Sequence, residues 1–432
     1  VGADFLSHTS RFTMGVDIAD INNDNKVDIF SLDMMPYDPS IFLKSGGEDS
    51  DKVSQIKESF GFSPQYARNH LQLNNDNKFF SDVALMTETH ASDWSWSVLM
   101  EDYDNDGLAD IFITNGIYKR PNDLDYIKFL SNVDFNKYSQ NQQNEIEKKL
   151  IDEMPTVNIS NIIFRNKGNM EFERLTEQSG FSPTYSNGAA YSDLDNDGDL
   201  DLVVNNINQK ALLLENQSAK GPKNNYITIA LEGDDQLKNT TGTKVFVYSS
   251  GSQYYKELNP TRGFQSSSSH KLHFGLGSNA KIDSIQLLWL DGTLQTEKGL
   301  TINQSHKIKR RGIPNIARTE TINTASNYSP FPYKHVENMY LDYAREPLIP
   351  EKLSVEGPAV VSADFNNDGL NDIFIGGARQ QAPELLIQQT NGEYKNTNQE
   401  TLEPEAGYED VDATAFDLDH DGDLDIYVMS GG

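Results

Sequence analysis

The chain has 432 residues, with 36 Lys and Arg against 65 Asp and Glu, a formal net charge of −29. That length suggests roughly two to four domains, and so acidic a chain argues against sequence-independent nucleic-acid binding and against docking by charge on anionic lipid. Cysteine is absent, which excludes disulfides, thiolate zinc sites, iron–sulfur clusters and thiol nucleophiles.

The chain opens Val1-Gly2-Ala3-Asp4, without Met, basic region or apolar signal core, and reads as a piece of a longer protein. No apolar run approaches the ~20 residues of a membrane helix. The first informative element, loop 1, is Asp20-Ile-Asn22-Asn-Asp24-Asn-Lys26-Val-Asp28. A second phrase, Asn69 to Phe80 leading to Asp82, answers it with the turn residues of a β-hairpin. Loop 2 follows as Asp102-Tyr-Asp104-Asn-Asp106-Gly107-Leu108-Ala-Asp110. Residues 132–154 carry the pattern of an amphipathic helical insert, and Asn161 to Phe172 repeats the hairpin phrase. Loop 3 is Asp193-Leu-Asp195-Asn-Asp197-Gly198-Asp199-Leu-Asp201.

Alternating stretches such as Lys244-Val-Phe-Val-Tyr and Ser284-Ile-Gln-Leu-Leu-Trp predict a compact β-domain over 223–311. Residues 312–334 read as a Pro/Ser/Thr/Asn-rich linker. Loop 4 is Asp364-Phe-Asn366-Asn-Asp368-Gly369-Leu370-Asn-Asp372, with its hairpin phrase at Leu385 to Tyr394. Loop 5 is Asp417-Leu-Asp419-His-Asp421-Gly422-Asp423-Leu-Asp425.

Each loop places a carboxylate or amide at positions 1, 3, 5 and 9, a total of 18 Asp and two Asn, Asn22 and Asn366. Calcium wants six to eight hard oxygen ligands. Alternate side chains of a tight loop supply them, and the position-7 carbonyls of Lys26, Leu108, Asp199, Leu370 and Asp423 add one each. Without a cation so many carboxylates repel. Gly at position 6 permits the left-handed backbone that wraps an ion; loop 1 has Asn25 there, and a weaker site is expected. An EF-hand needs Glu at position 12, where this chain has Ser31, Ile113, Val204, Ile375 and Val428. β-Branched and aromatic residues flank the loops instead, so strands are predicted on both sides. About five Ca2+ sites are expected; bound metal could polarise a substrate or only lock each hairpin, and the second reading is favoured because full protein coordination leaves no open position for catalysis.

These loops, with the Leu-x-x-Asn-x-x-x-x-Phe phrase, resemble FG-GAP/VCBS repeats, the blades of integrin-α-like β-propellers. Gly242-Thr-Lys-Val-Phe-Val, Thr261-Arg-Gly-Phe-Gln-Ser and Leu272-His-Phe-Gly-Leu-Gly277 resemble the ASPIC/UnbV domain. The combination is similar to large cell-envelope proteins of Bacteroidota type and is related in plan to the cartilage acidic protein family. The resemblance implies an all-β chain. Propeller blades would span 1–215 and 335–432, with a separate small ASPIC/UnbV-like domain between them, either as two propellers or as one with the domain inserted.

Two functions are weighed. The first is a non-catalytic, calcium-stabilised binding or scaffold protein at a bacterial outer-membrane surface or outside the cell. It would meet a protein or glycan, or serve as accessory to an outer-membrane transporter complex, through the segments that break the repeat, Tyr37–Tyr66 and Tyr118–Met154. The second is a polysaccharide lyase or hydrolase, which needs a base beside a metal-neutralised uronate. No hydrolase elbow, P-loop or dinucleotide fingerprint appears. Trp94 and Trp96 read either as a ligand shelf on one strand face or as core packing. None of the eight histidines has the i, i+4 spacing of a helical zinc site.

Overall fold

A computed structural model describes residues 5–46, 49–133, 137, 139–175, 181–218, 224–235, 237–279, 281–311, 332–338, 340, 342–346, 353–397 and 399–431. Most of the expected linker, 312–331, lies outside them. The described elements are mainly strands with a few helices, an all-β chain. Contacts divide it into two compact units, Val1–Glu320 and Thr321–Gly432.

The first unit holds three antiparallel sheets in the order of the repeat. The first sheet runs Val16–Ala19, Asp28–Ser31, His70–Asn75, Phe79–Asp82. The second runs Ser95–Glu101, Asp110–Asn115, Ile162–Asn166, Phe172–Leu175. The third runs Ser186–Ser192, Asp201–Asn206, Leu212–Leu214. Strand alternation explains how they pack. Val98, Met100, Ile111 and Ile113 of the second sheet meet Phe30 and Leu71 of the first. Leu99 and Phe112, on the other face, meet Leu202 and Val204 of the third. A strand buried on both faces carries a near-continuous apolar run, as in Asp110-Ile-Phe-Ile-Thr.

Residues 224–311 form a sandwich. Asn225–Glu232 lies between Lys271–Gly277 and Ser305–Lys309, and Lys244–Ser249 lies between Ser252–Glu257 and Ser284–Leu288, with Leu294–Glu297 at the edge. The two inner faces enclose Ile227, Val245, Val247, Phe274, Leu287 and Trp289, a core of its own. The sandwich and the three sheets share the first unit. Between sandwich strands the hairpin Thr261–Arg262/Ser266–Ser267 reaches the first strand of each of the three sheets. Gly263 bridges Val16, the Phe264 amide donates to Ser97 Oγ, and the Tyr191 amide donates to Ser268 Oγ.

In the second unit a four-stranded sheet runs Val360–Ala363, Asp372–Ile375, Glu384–Gln388, Tyr394–Thr397. Glu409–Phe416 pairs with Asp425–Gly431. Among the described residues no helix is long and apolar enough to cross a membrane.

Candidate metal centres

Every loop joins the first two strands of its sheet; loops 1, 2, 4 and 5 share one hydrogen-bond scheme, and loop 3 has its contacts at positions 3 and 5. The position-1 carboxylate accepts the position-6 amide, from Asn25 to Asp20, Gly107 to Asp102 and Gly369 to Asp364 at 2.8 Å, and from Gly422 to Asp417 at 3.2 Å. Position 3 accepts the amide of position 5 at Asn22, Asp104, Asp195, Asn366 and Asp419. Position 5 accepts the amide of position 7 at Asp24, Asp106, Asp197, Asp368 and Asp421. An Asn at position 3 therefore folds the loop as Asp does. The turn is tight enough to need two left-handed residues. Position 6 has φ between +66° at Asn25 and +100° at Gly422. Position 4, which the sequence reading passed over, has φ of +58° to +63° at Asn23, Asn105, Asn196, Asn367 and His420. Asn is the usual non-Gly residue there.

Position 9 ties the loop to its sheet. Asp28, Asp110, Asp201 and Asp372 each accept the amide of position 2 on one oxygen. On the other they accept the amides of Asn74, Asn166, Asn216 and Gln388. Asp425 accepts the Leu418 amide at 2.9 Å. What position 9 offers an ion is its remaining lone pairs.

The donor set fits a hard cation. Ligand oxygens of Asp102, Asp104 and Asp110 lie within 4.8 Å of one another, as do those of Asp193, Asp195 and Asp197, and of Asp417, Asp419 and Asp425. Asp193 Oδ1 is buried with no hydrogen-bond partner among the described residues. Burial pushes Asp102 up to about 8, against the pull of Lys256 and with repulsion from Asp106 and Asp104 added. Burial likewise raises Asp20 to about 7 and Asp28 to about 6. Carboxylates so disfavoured as anions need a proton or a cation, and an all-oxygen set suits calcium over softer metals.

Asparagines outside the ligand positions link one loop to the next. Asn23 Nδ2 donates to the Gly107 carbonyl and Asn105 Nδ2 to the Gly198 carbonyl, both at 2.9 Å. The Asn of the hairpin phrase ties its own loop at position 8 and the preceding loop at position 2: Asn166 donates to Ala109 and Ile21, Asn216 to Leu200 and Tyr103. The recurrent Asn in Leu-x-x-Asn was the available signal for this.

The sandwich lies over loops 1 and 2 and reaches Gly198 of loop 3. His273 Nε2 contacts Asn105 Oδ1 at 2.6 Å, the Gly277 amide donates to the Asn105 carbonyl at 2.8 Å, and Asn224 Nδ2 donates to the Asp104 carbonyl at 2.9 Å. Gln253 Nε2 donates to Asn25 Oδ1 at 2.8 Å. Gly275 sits where an added Cβ would collide with the Asp102 carboxylate. Tyr254 covers Gly107, and Tyr226 covers Gly198. Loops 4 and 5 lie exposed over most of their length.

Behind loop 1 a cavity of about 250 Å³ is lined by Asp20, Glu101, Tyr255, Lys256 and Arg262, among others. Its cations are paired. Arg262 bonds Asp17, through Nη2 at 2.6 Å, and Glu101 at 3.1 Å, and Lys256 bonds Glu101. Trp94 precedes its strand rather than sharing a face with Trp96, because Asp93, at φ +114°, breaks the alternation. Trp94 is buried; the Trp96 indole donates to the Gly116 carbonyl and the ring contacts Phe264.

No curated protein matches the chain. Two protein families do, each over part of it: residues 233–314 match the family described as ASPIC and UnbV, and residues 364–428 match the FG-GAP-like repeat. The sandwich over the loops thus holds an ASPIC/UnbV domain, and the segment holding loops 4 and 5 matches an FG-GAP-like repeat.

Proposed function

We propose that this is a non-catalytic, calcium-stabilised binding or scaffold protein, working at the outer surface of a bacterial cell envelope. Its sheets are blades of a β-propeller held by calcium in all five loops. The partner is a protein or glycan, an outer-membrane transporter complex being one assembly it would serve, and a secreted form would meet the same classes of partner.

The observation that carries this reading is the placement of the two segments that break the repeat. In the second sheet Glu101 pairs with Asp110 beside the loop, and Ser95 pairs with Asn115 at the other end. In the first, Ala19 pairs with Asp28 and Val16 with Ser31. The chain after Ser31 and after Asn115 therefore leaves from the end opposite the loops. There the two segments join: Ser45 bridges Asp123, the Gly46 amide donates to the Asn122 carbonyl at 2.8 Å, and the Leu124 amide donates to the Lys44 carbonyl at 2.8 Å. The joined surface adds helices Asp51–Ser59, Leu124–Ser131 and Gln140–Glu153. It exposes Leu43, Phe60, Phe62, Leu124, Ile127 and Phe129. Exposed apolar side chains in number mark interaction surfaces, and long loops on rigid scaffolds commonly carry function.

The lyase alternative has less to stand on. The cavity beside loop 1 contains basic and tyrosine groups, but Lys256 and Arg262 already neutralise Glu101 and Asp17, so neither is available for a uronate. The test is capture of partners from native membranes by the intact parent, with and without residues 132–154. Loss of capture with calcium binding intact supports the reading. Capture that survives deletion of both segments, or cleavage of acidic polysaccharides by the purified protein, overturns it.

A further inference from the structure

We propose that His8, His70 and Asp82 form a site for a divalent transition-metal ion of the zinc type, distinct in chemistry and place from the loops. His8 precedes the short strand Thr9–Ser10, His70 opens the third strand of the first sheet, and Asp82 closes its fourth. Spacings of 62 and 12 residues hide the cluster in the sequence. The fold brings one ligand atom of each to within 4.8 Å of the others. His8 Nε2 is 2.8 Å and His70 Nδ1 2.7 Å from the same oxygen, Asp82 Oδ2.

The far side of each group is already held. His8 Nδ1 contacts Ser7 Oγ at 2.9 Å, and His70 Nε2 faces the Tyr66 carbonyl at 3.4 Å. Asp82 Oδ1 accepts the amides of Leu71 and Ala84 at 3.2 and 3.0 Å. These are the outer contacts that metal-bound imidazoles and carboxylates use. When an ion displaces the inner bonds to Asp82, an outer acceptor can hold the remaining ring proton and leave the inner nitrogen's lone pair for the ion. Burial pushes the Asp82 carboxyl up, but hydrogen bonds from His70, His8 and the Ala84 amide, with the charge of Arg68, outweigh it and hold it below the usual carboxylate range. Two imidazoles and one carboxylate suit zinc, nickel, copper or cobalt and disfavour calcium. His8 keeps 18% of its side chain exposed, which leaves a solvent side for a fourth ligand.

Arg68 is the competitor. Its Nη1 lies 2.7 Å from Asp82 Oδ2, its Nη2 lies 3.4 Å from His8 Nε2, and its guanidinium stands over the Tyr66 ring. Without metal this cation balances Asp82. With metal it must leave the Oδ2 lone pair, so it lowers the affinity of the site. That role makes the proposal testable in two directions.

The calcium-saturated full chain is titrated with Co2+ and then with Zn2+. The expected result is one visible absorption band typical of a low-coordinate nitrogen-ligated ion, bleached by one equivalent of Zn2+. The all-oxygen loops do not produce such a band. His8→Ala, outside the four-stranded sheet, removes a direct ligand and weakens binding by more than the roughly tenfold that loss of an outer contact costs, while Arg68→Ala tightens it. Thermal melts of both variants report whether they fold. Absence of the band overturns the proposal, as does a band unmoved by His8→Ala. Folded Arg68→Ala that binds metal more weakly than the parent also overturns it, since Arg68 is then a keystone of a metal-free His–Asp–Arg network.

Discussion

Loop 2 and loop 5 repeat the same nine-position phrase and differ in what lies over them. In loop 2, Asp102 and Asp110 are buried, Asn105 is held by His273, and Gly275 closes on the carboxylates. In loop 5, Asp419, Asp421 and Asp423 face solvent, and position 4 is an exposed His420. Water screens repulsion in the second case and cannot in the first. The acidic phrase folds the same way in both places. The cost of leaving it without a cation is set by the cover.

Chelation is the strongest way to break that comparison. Where free calcium exceeds the dissociation constant a thousandfold, each occupied site adds about 4 kcal/mol. Three sites in Val1–Glu320 would then match the whole stability of an ordinary domain, roughly 5–15 kcal/mol. Chelator is expected to lower the melting midpoint of this unit by on the order of 10 °C or more. The sandwich core should outlast the sheets, since it encloses Trp289 without any loop residue. In a Trp94→Phe/Trp96→Phe background, Trp289 fluorescence follows the sandwich alone. An unchanged midpoint would sink the structural role of calcium. Simultaneous loss of the Trp289 signal would mean that the sandwich folds only against the sheets.

A smaller probe compares two glycines. Gly275→Ala drives a methyl into the Asp102 carboxylate and the Asn105 backbone, and should cost ~3 kcal/mol as an overpacked, rigid contact. Gly369→Ala, in exposed loop 4, meets nothing within 4 Å but holds φ at +85°. It should cost about 1 kcal/mol, from backbone strain alone. Calcium titrations should show weaker binding at loop 2 for the first variant and a smaller loss at loop 4 for the second. Equal costs would deny that the cover matters.

Much of this could be read from residue order. The five loops, their strands and the apolar runs between them follow from local rules: alternation, Gly or Asn at left-handed positions, and carboxylate spacing. The helix Gln140–Glu153 lies inside the segment expected to be helical, with Ser139 and Gln142 making its capping box. What could not be read is what distant segments do to one another. Nothing near Asp102 announces that Gly275 and His273 cover it, or that Arg262 finds Asp17 from 245 residues away. The cluster of His8, His70 and Asp82 is hidden for the same reason. Trp94 shows a failure of a local rule: alternation assumed a strand that starts one residue later, behind a left-handed Asp93.

The cover also introduces a pH dependence that exposed loops lack. Burial first, and then the charge of Lys256, lower His273 to about 3, with Glu101 opposing. The unfolded residue takes up its proton near the ordinary value of about 6.5. Between those values the unfolded state binds more protons, so this contribution is complete above pH 6.5 and shrinks as pH falls towards 3. By pH 5 the loss should be roughly 2 kcal/mol. His273→Gln keeps a donor for Asn105 and removes the titration. The stability of the parent relative to the variant, at saturating calcium, should fall by roughly 2 kcal/mol between pH 7 and 5. Parallel pH profiles would show that His273 carries no such dependence.

The smallest effect separates two explanations of one oddity. Position 6 is Gly in loops 2 to 5 but Asn25 in loop 1, and strain at a left-handed Asn would by itself make this the poorest site. Yet Asn25 Oδ1 accepts a hydrogen bond from Gln253 of the sandwich, a partner that Gly cannot supply. Asn25→Gly gains a few tenths of a kcal/mol in backbone ease and loses a hydrogen bond of ~1 kcal/mol. It should therefore destabilise the first unit slightly, by less than about 1 kcal/mol. Asn25→Ala, which keeps the strain and loses the bond, should cost more. In exposed loop 5, Gly422→Asn has no partner to gain and should cost a few tenths. Melts of the three variants at saturating calcium decide the matter. If Asn25→Gly stabilises the protein and tightens calcium, Asn25 is a blemish in a repeat; if it loosens the sandwich, the departure from the repeat is part of the cover.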